Sequence, residues 1–379
     1  VFHQLLQYLP RSVFQKVVDR HHGDKGVRTL TCWDQLVVML YSQLSSRKSL
    51  RDLTDTFNSQ HYAHYHLGTG KISRTTLADA NEKRPVEVYR ETFFYLLEKA
   101  RSHLDHGIKN EMVRLIDASV IDLNVEQFRW AKFRSTKGGI KIHTIYDPNA
   151  ELPTHFEMTA AKVNDRKALE SLPTLENTTY VVDRAYNDYG WYYELHQKNS
   201  KVVGRMKKDA KYTVLKENDT FEDGVISDEI IRFSAKKAQK DCPIDMRRVT
   251  FIRQEDQKEL VFLTNDLERT AGQIAALYKQ RWQIELFFKW IKQTLKIKQF
   301  LGRSENAVMI QILVAMIAYL LLKIIKLNHL KDISLLKLSR LVGINMMNRL
   351  CISDLINPDK VVAERLKNER QLAFKNLGF

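Results

Sequence analysis

Three carboxylates stand where an unpaired charge is expensive. Asp117 lies inside the apolar, β-branched run MVRLIDASVIDL, and Asp183 ends the apolar stretch of TTYVVDRAY. A carboxylate in such a strand is costly unless it is paired or binds a metal. Glu285 lies in YKQRWQIELFFKWIK, residues 278–292. It is the single acidic residue between Glu268 and Glu305, set among eight Lys and Arg. A salt-bridged surface helix would alternate its charges, and this one does not. If the three groups converge within about 4–6 Å, each pair repels by several kcal/mol at an effective dielectric near 20. Divalent cations reverse that sign. A few hard oxygen ligands, with phosphate supplying the rest, are what Mg²⁺ prefers. Two such ions about 3.5–4 Å apart can activate a water or 3′-hydroxyl and stabilise the leaving oxygen of a phosphodiester. Two strand aspartates and one helix glutamate therefore predict nuclease-type phosphoryl transfer. Asp122 and Asp188 compete with the two aspartates. Asp117 is preferred because it sits mid-strand before Ala118 and Ser119, and Asp183 because Asp188 falls in the following loop.

The elements that must carry these groups can be read from periodicity. On one helix over 278–292, Tyr278, Arg281, Glu285 and Lys292 share a polar stripe about 60° wide. Ile284, Phe287, Phe288 and Ile291 occupy an adjacent arc that would face the core. The seam can hold a metal with its carboxylate and phosphates with its cations. Upstream, MVRLIDASVIDL, GIKIHTIYD and LPTHFEMTAA read as strands, the last two joined as a hairpin by DPNAE. NDRKALESL reads as a helix, TTYVVDRAY as a buried strand and NDYGWYYELHQKN as another helix. That order is the order of a ribonuclease H-like core.

The remaining chain divides by texture. Residues 1–108 look all-helical, and SRTTLADANEKR within them reads as a capped, basic, polar short helix. With Arg74 at its start, it suits a helix-turn-helix-like DNA reader; an ordinary bundle with a solvated face fits as well. Residues 109–200 and 267–330 form the expected catalytic domain, 201–266 a β-rich insertion, and 331–379 a helical C-terminal region. The fold class is α/β (α+β). Lys plus Arg number 60 against 45 Asp plus Glu, a net charge of +15, with a pI near 9.5. Such an excess points to a polyanion. Ala307–Lys323 offers an apolar run of 16 residues, interrupted by Gln311. A membrane span needs about 20, so a buried core helix and no membrane contact are expected, leaving nucleic acid as the polyanion. Cys32, Cys242 and Cys351 are far apart, which suits a reducing cytoplasm. The opening residues carry charge through an amphipathic pattern rather than a secretory signal, and the start at Val1 without Met suggests that residues precede it. His61, His64 and His66 have no carboxylate or cysteine nearby, so a structural or DNA-proximal loop is favoured over zinc.

Tyr278, Arg281, Glu285 and Lys292 also match in full the Y-x₂-R-x₃-E-x₆-K signature, and here the chain resembles bacterial DDE transposases of the insertion-sequence-4 type. IDASVI, KGGIKIH, VVDRAY, VGRMKK and FLTN are similar to segments of the same family, and the resemblance covers residues 1–330. Ala185 departs from the Gly that many members have there. The resemblance implies a ribonuclease H-like fold with a β insertion between the second Asp and the Glu. It implies Mg²⁺-dependent cut-and-paste transposition by two metal ions, with Mn²⁺ as a substitute, and in some members a DNA hairpin on the element end. It makes Asp117, Asp183 and Glu285 the metal-binding catalytic triad, and Tyr278, Arg281 and Lys292 contacts to DNA phosphates. Lys137, Lys141, His143, Arg184 and Arg205 follow as further DNA-binding candidates. The implied partners are double-stranded DNA, as terminal inverted repeats and as target, and a second copy of the chain in a DNA-bound synaptic homodimer. The implied location is the bacterial cytoplasm, on the nucleoid. Two other readings stand beside it: a catalytically silent relative that occupies DNA ends, and a ribonuclease H-like nuclease without strand transfer.

Overall fold

The β-branched run around Asp117 forms a long strand, β1 (Val113–Leu123), in the computed structural model of the chain. The structure describes residues 1–104, 112–134, 137–294, 299–329 and 333–355. The helix expected within 356–379 and the side chain of Lys137 lie outside the described residues. The chain packs as two compact units, residues 106–289 and residues 1–105 with 290–379.

The first unit is built on a ten-stranded sheet. β1 pairs antiparallel with β3 (Lys137–Asp147), which carries the short β2 (Lys132–Arg134) and β4 (Leu152–Ala160). The turn between β3 and β4 is held by the Asp147 carboxylate, which accepts the Asn149 and Ala150 N–H groups at 2.9 and 3.0 Å. On its other side β1 runs parallel to β5 (Thr179–Val182), and β5 runs parallel to β6 (Lys201–Arg205). All four residues of β5 are buried, as expected for a parallel strand covered on both faces. The β5–β6 crossover is the helix Tyr189–Gln197. Strand order β4-β3-β1-β5-β6, three antiparallel and two parallel, is the ribonuclease H-like core.

Residues 201–266 continue this sheet instead of making one of their own. β10 (Lys258–Thr264) pairs antiparallel with β6, and β9 (Met246–Arg253), β8 (Val225–Phe233) and β7 (Tyr212–Glu217) follow outward. The physical reason lies in β6: Val202 and Val203 are fully buried, and backbone N–H and C=O groups buried at that depth need partners on both edges of the strand. One core covers one face, where Ile116, Val182, Val202 and Phe233 meet Tyr192 and Leu195 of the crossover helix. Gly204 marks a close approach in it. A Cβ there would lie 2.5 Å from the Tyr192 hydroxyl, which is pinned by donating to Asn187 Oδ1. Gly204→Ala should therefore cost about 1–3 kcal/mol. Denaturant unfolding checks this, and an unchanged midpoint would contradict the packing described.

The second unit is helical. The helix Glu305–His329 is apolar all round, and such a helix must be covered all round. By length and composition it could cross a membrane, but 94% of its most apolar window is buried. Its cover includes Val86–Ser102, Cys32–Ser45, Arg74–Lys83 and Leu335–Asn345. The expected division at residue 330 is thus not where the packing divides. In Arg74–Lys83, Leu77, Ala80 and Asn81 face inward. The expected cap is absent: Ser73 Oγ bonds Thr75 Oγ1 at 3.0 Å and makes no bond to a helix N–H. The exposed face carries Asp79 and Glu82 as well as Arg74 and Lys83, so it is mixed rather than uniformly basic. His64 is buried, stacked on Phe57 and hydrogen-bonded to the Phe57 carbonyl.

Candidate active site

Strand register brings two of the three carboxylates together. Ile116 of β1 lies beside Val182 of β5, and Val182 beside Gly204 of β6. The next residue on each strand is Asp117, Asp183 and Arg205, so these three share one row at the carboxyl ends of parallel strands. Neighbouring strands lie about 4.8 Å apart. Ligands of open α/β sheets sit outside such strand ends. Each carboxylate is fixed by its own backbone: Asp117 Oδ1 accepts the Ala118 N–H at 2.8 Å, and Asp183 Oδ1 accepts the Arg184 N–H at 2.7 Å. Alternation decides the face. Ile116 and Val182 point into the core under the crossover helix, so Asp117 and its row point to the other side.

That other side is where Glu285 arrives. Tyr146, opposite Leu115 in the ladder, packs its ring 5.3 Å from Phe287. Phe287 stands two residues after Glu285, on the helix Trp282–Thr294. The single helix expected over 278–292 is two: Ala271–Gln280 ends at Arg281, and Trp282–Thr294 follows. At the joint the Arg281 N–H bonds the Tyr278 carbonyl and the Ile284 N–H bonds the Arg281 carbonyl, both the tighter i to i+3 pattern. Arg281 Nη1 donates to Asp117 Oδ2 at 3.1 Å, while Nη2 donates to Glu285 Oε1. One guanidinium thus joins the strand carboxylate to the helix carboxylate.

Tyr278 is not on an exposed seam. It is buried, its ring 4.9 Å from Phe262, the residue opposite Arg205. The Arg281 guanidinium lies 5.6 Å over the same ring. Burial first, and then the Asp183 charge against the opposing pull of Arg281 and Arg205, raises the Tyr278 phenol above its ordinary value. The buried ring props Arg281.

Burial outweighs the Arg281 guanidinium and the Ala118 N–H and pushes the Asp117 carboxyl up from 3.8 to about 6; Asp183 and Glu285 add to the rise. A folded value above the unfolded one means that folding takes up a proton. The stability this group contributes to the metal-free protein is full below pH 3.8 and lost as pH rises through about 6. A metal bound at Asp117 would have to expel that proton. Mn²⁺ affinity measured by calorimetry should be level above about pH 7 and fall up to about tenfold per pH unit below about 6. An affinity flat across that range would contradict a metal at Asp117.

The donor set fits a hard cation: carboxylate oxygens only, with a guanidinium standing between two of them. As they stand, no three His, Cys, Asp or Glu side chains among the described residues are arranged to hold a metal, and the Arg281 guanidinium stands between Asp117 and Glu285. The surroundings suit an anion. Arg184, Arg205 and Arg281 each bury an Nε that has no hydrogen-bond partner, and an unsatisfied buried donor is costly enough to imply a missing acceptor.

Other expected contacts are placed differently. Lys141 Nζ bonds the Val163 carbonyl and Asp165 at 2.8 and 2.9 Å, with 12% of its side chain exposed. His143 is fully buried, hydrogen-bonded to Tyr186 and Thr159, and burial lowers its pKa. Both are engaged by partners within the fold. Lys292 is half-buried, seven residues after Glu285 on the same helix. Arg74 is exposed, in a hollow with Ser49 and Arg51 in the helical unit. Asp188 caps the helix Tyr189–Gln197 and pairs with Arg166, and Asp122 is exposed on β1. Tyr186 was not anticipated. Its buried hydroxyl meets His143, and its pKa is raised by burial and then by Asp165, Asp117 and Asp183. Its place three residues after Asp183 was the available signal.

The family model described as Transposase DDE domain matches residues 109–321, and a domain of unknown function, DUF4372, matches residues 1–70. "Putative transposase y4zB" of Sinorhizobium fredii is 41% identical over 258 residues, covering 65% of this chain and 70% of the relative. "Probable transposase for insertion sequence element IS5377" of Geobacillus stearothermophilus is 24% identical, covering 78% and 77%. A solved piggyBac transposase synaptic complex with hairpin DNA covers 90% of this chain and 79% of its own at TM-score 0.46 and 10% identity, too slight a likeness to argue from. With a family match over more than half its length and a relative of that identity, the chain belongs to the transposase DDE domain family.

Proposed function

We propose that this DNA transposase binds the terminal inverted repeats of an insertion sequence, cuts there, and joins the ends to target DNA. Dependence on divalent metal follows from the family; Asp117, Asp183 and Glu285 are proposed to hold it as two Mg²⁺ ions. Bound there, the metal would supply charge stabilisation to a phosphodiester and an activated oxygen nucleophile. The observation that carries the reading is the guanidinium of Arg281 bridging Asp117 and Glu285 beside the Asp117–Asp183 row. The rest belongs to the chain itself. Arg184, Arg205 and Arg281, each with an Nε that lacks a partner, are the cations proposed to neutralise backbone phosphates and so fix the register of the end. Tyr278 packs on the face of this row, and Tyr186 and His143 on the opposite face of the sheet. One active site per end makes a homodimer the working form on DNA, in the bacterial cytoplasm on the nucleoid.

The test is strand cleavage of a labelled duplex spanning the flanking repeat, with Mg²⁺ and with Ca²⁺. A nick at the repeat boundary in Mg²⁺ supports the proposal, and tight binding without cleavage in any metal counts against it. End binding should also weaken about 10³–10⁵-fold between 50 and 200 mM salt if about 6–10 phosphates are neutralised. A titration at the two salt concentrations reads this, and a salt-independent affinity would rule out a phosphate-led interface.

A further inference from the structure

Arg281 is held in a way that a DNA contact alone does not require. Its Nη1 and Nη2 are given to Asp117 and Glu285, its plane lies over Tyr278, and only Nε is left without a partner. Its side chain is 16% exposed. A buried guanidinium that lost both carboxylates would be left an uncompensated charge. A metal held between Asp117 and Glu285 would stand where the Arg281 guanidinium now stands, against Asp117 Oδ2 and Glu285 Oε1. The two cations therefore exclude each other, unless Arg281 has another anion to turn to.

We infer that Arg281 is a placeholder for the metal: in the DNA-free protein it holds Asp117 and Glu285 together, and a DNA phosphate draws it off, so that the carboxylates accept metal only when DNA is bound. This rests on the metal reading above. The phosphate is expected on the side of Arg205, which stands in the same row as Asp117 and Asp183 and whose charge, like that of Arg281, acts on Tyr278. Arg281 need only exchange carboxylate oxygens for phosphate oxygens, which its planar fork matches equally well. Tyr278 keeps the guanidinium plane supported meanwhile. By linkage the effect is reciprocal: metal frees Arg281 for DNA as much as DNA frees the carboxylates for metal. The consequence is a cutting site that assembles on DNA and stays closed off it.

The experiment is Mn²⁺ binding to the full chain, read by calorimetry with no cleavage involved, with and without a short generic duplex. Arg281→Gln removes the competing cation. It should raise Mn²⁺ affinity of the DNA-free protein by roughly 5–150-fold and abolish the enhancement that duplex gives the wild type. Arg281→Lys keeps the charge but cannot span two carboxylates, and should give a smaller rise, which covers the case in which the Gln variant does not fold. Lys289→Gln removes an equal charge from an exposed position of the same helix, and a rise matching that of Arg281→Gln would reduce the effect to general electrostatics and overturn the inference. So would unchanged affinity in both Arg281 variants while Glu285→Gln loses Mn²⁺ binding; the metal reading would then survive alone. Undiminished Mn²⁺ binding by Glu285→Gln would overturn the metal reading and this inference with it.

Discussion

Glu285→Gln should leave binding of a DNA end within a few-fold of wild type and lower Mg²⁺-dependent cleavage by about 10³-fold or more, since several kcal/mol of transition-state stabilisation depend on the metal. The substitution is nearly isosteric. Its amide oxygen still accepts from Arg281, so the joint between the two helices survives while the ligand charge is lost. Asp183→Asn is as clean, because the asparagine oxygen keeps the hydrogen bond from the Arg184 N–H that starts the turn Arg184–Tyr186. Each single change should cost about as much as both together, because residues acting as one metal-binding unit are not additive. The check is single-turnover cleavage beside a binding isotherm for each variant. Cleavage within about tenfold of wild type in either single variant would remove that residue from the chemistry.

Asp228→Asn should have the largest effect on stability, about 3–5 kcal/mol. Asp228 and Arg247 are 5% and 6% exposed, and they meet through two parallel bonds of 2.8 and 2.6 Å. Removing one charge leaves the other buried and unpaired. Arg247 also bonds the Arg269 carbonyl, one residue before the cap of the helix Ala271–Gln280. That helix carries Tyr278 and leads to Arg281, so loosening β8 and β9 should disturb the site as well as the fold. The double variant Asp228→Leu with Arg247→Met should recover most of the loss, because hydrophobic replacement of a whole buried pair is often neutral. Denaturant unfolding of the three variants is the measurement. A loss below about 1 kcal/mol for Asp228→Asn would show that water reaches the pair.

Much of the proposed site is legible in the sequence alone. Asp117 and Asp183 betrayed themselves as charges inside apolar, β-branched runs, and Glu285 as a lone acid among cations. Local composition carries these signals because burial selects residue types one by one. The strand–helix order likewise followed from periodicity, which is a property of neighbours in the chain. What was not legible involved partners distant in sequence. Lys141 reads as a surface cation, yet Asp165 claims it. Tyr278 reads as part of a polar stripe, yet Phe262 and Arg281 bury it. The run 278–292 reads as one helix, yet its hydrogen-bond ladder changes at Arg281.

By itself the sequence determined the chemistry available to this protein: three carboxylates in apolar or cationic settings, two apolar strands to carry two of them, and a net positive charge to meet a polyanion. Only the tertiary structure decided that the β1–β5–β6 register would set Asp117, Asp183 and Arg205 in one row, and that Arg281 would join Asp117 to Glu285. The reason is physical. Residue type is set locally by whether a position is buried, but which charge a buried group meets is set by register and packing between segments far apart in the chain, and a register shift of one residue would turn the whole row to the opposite face.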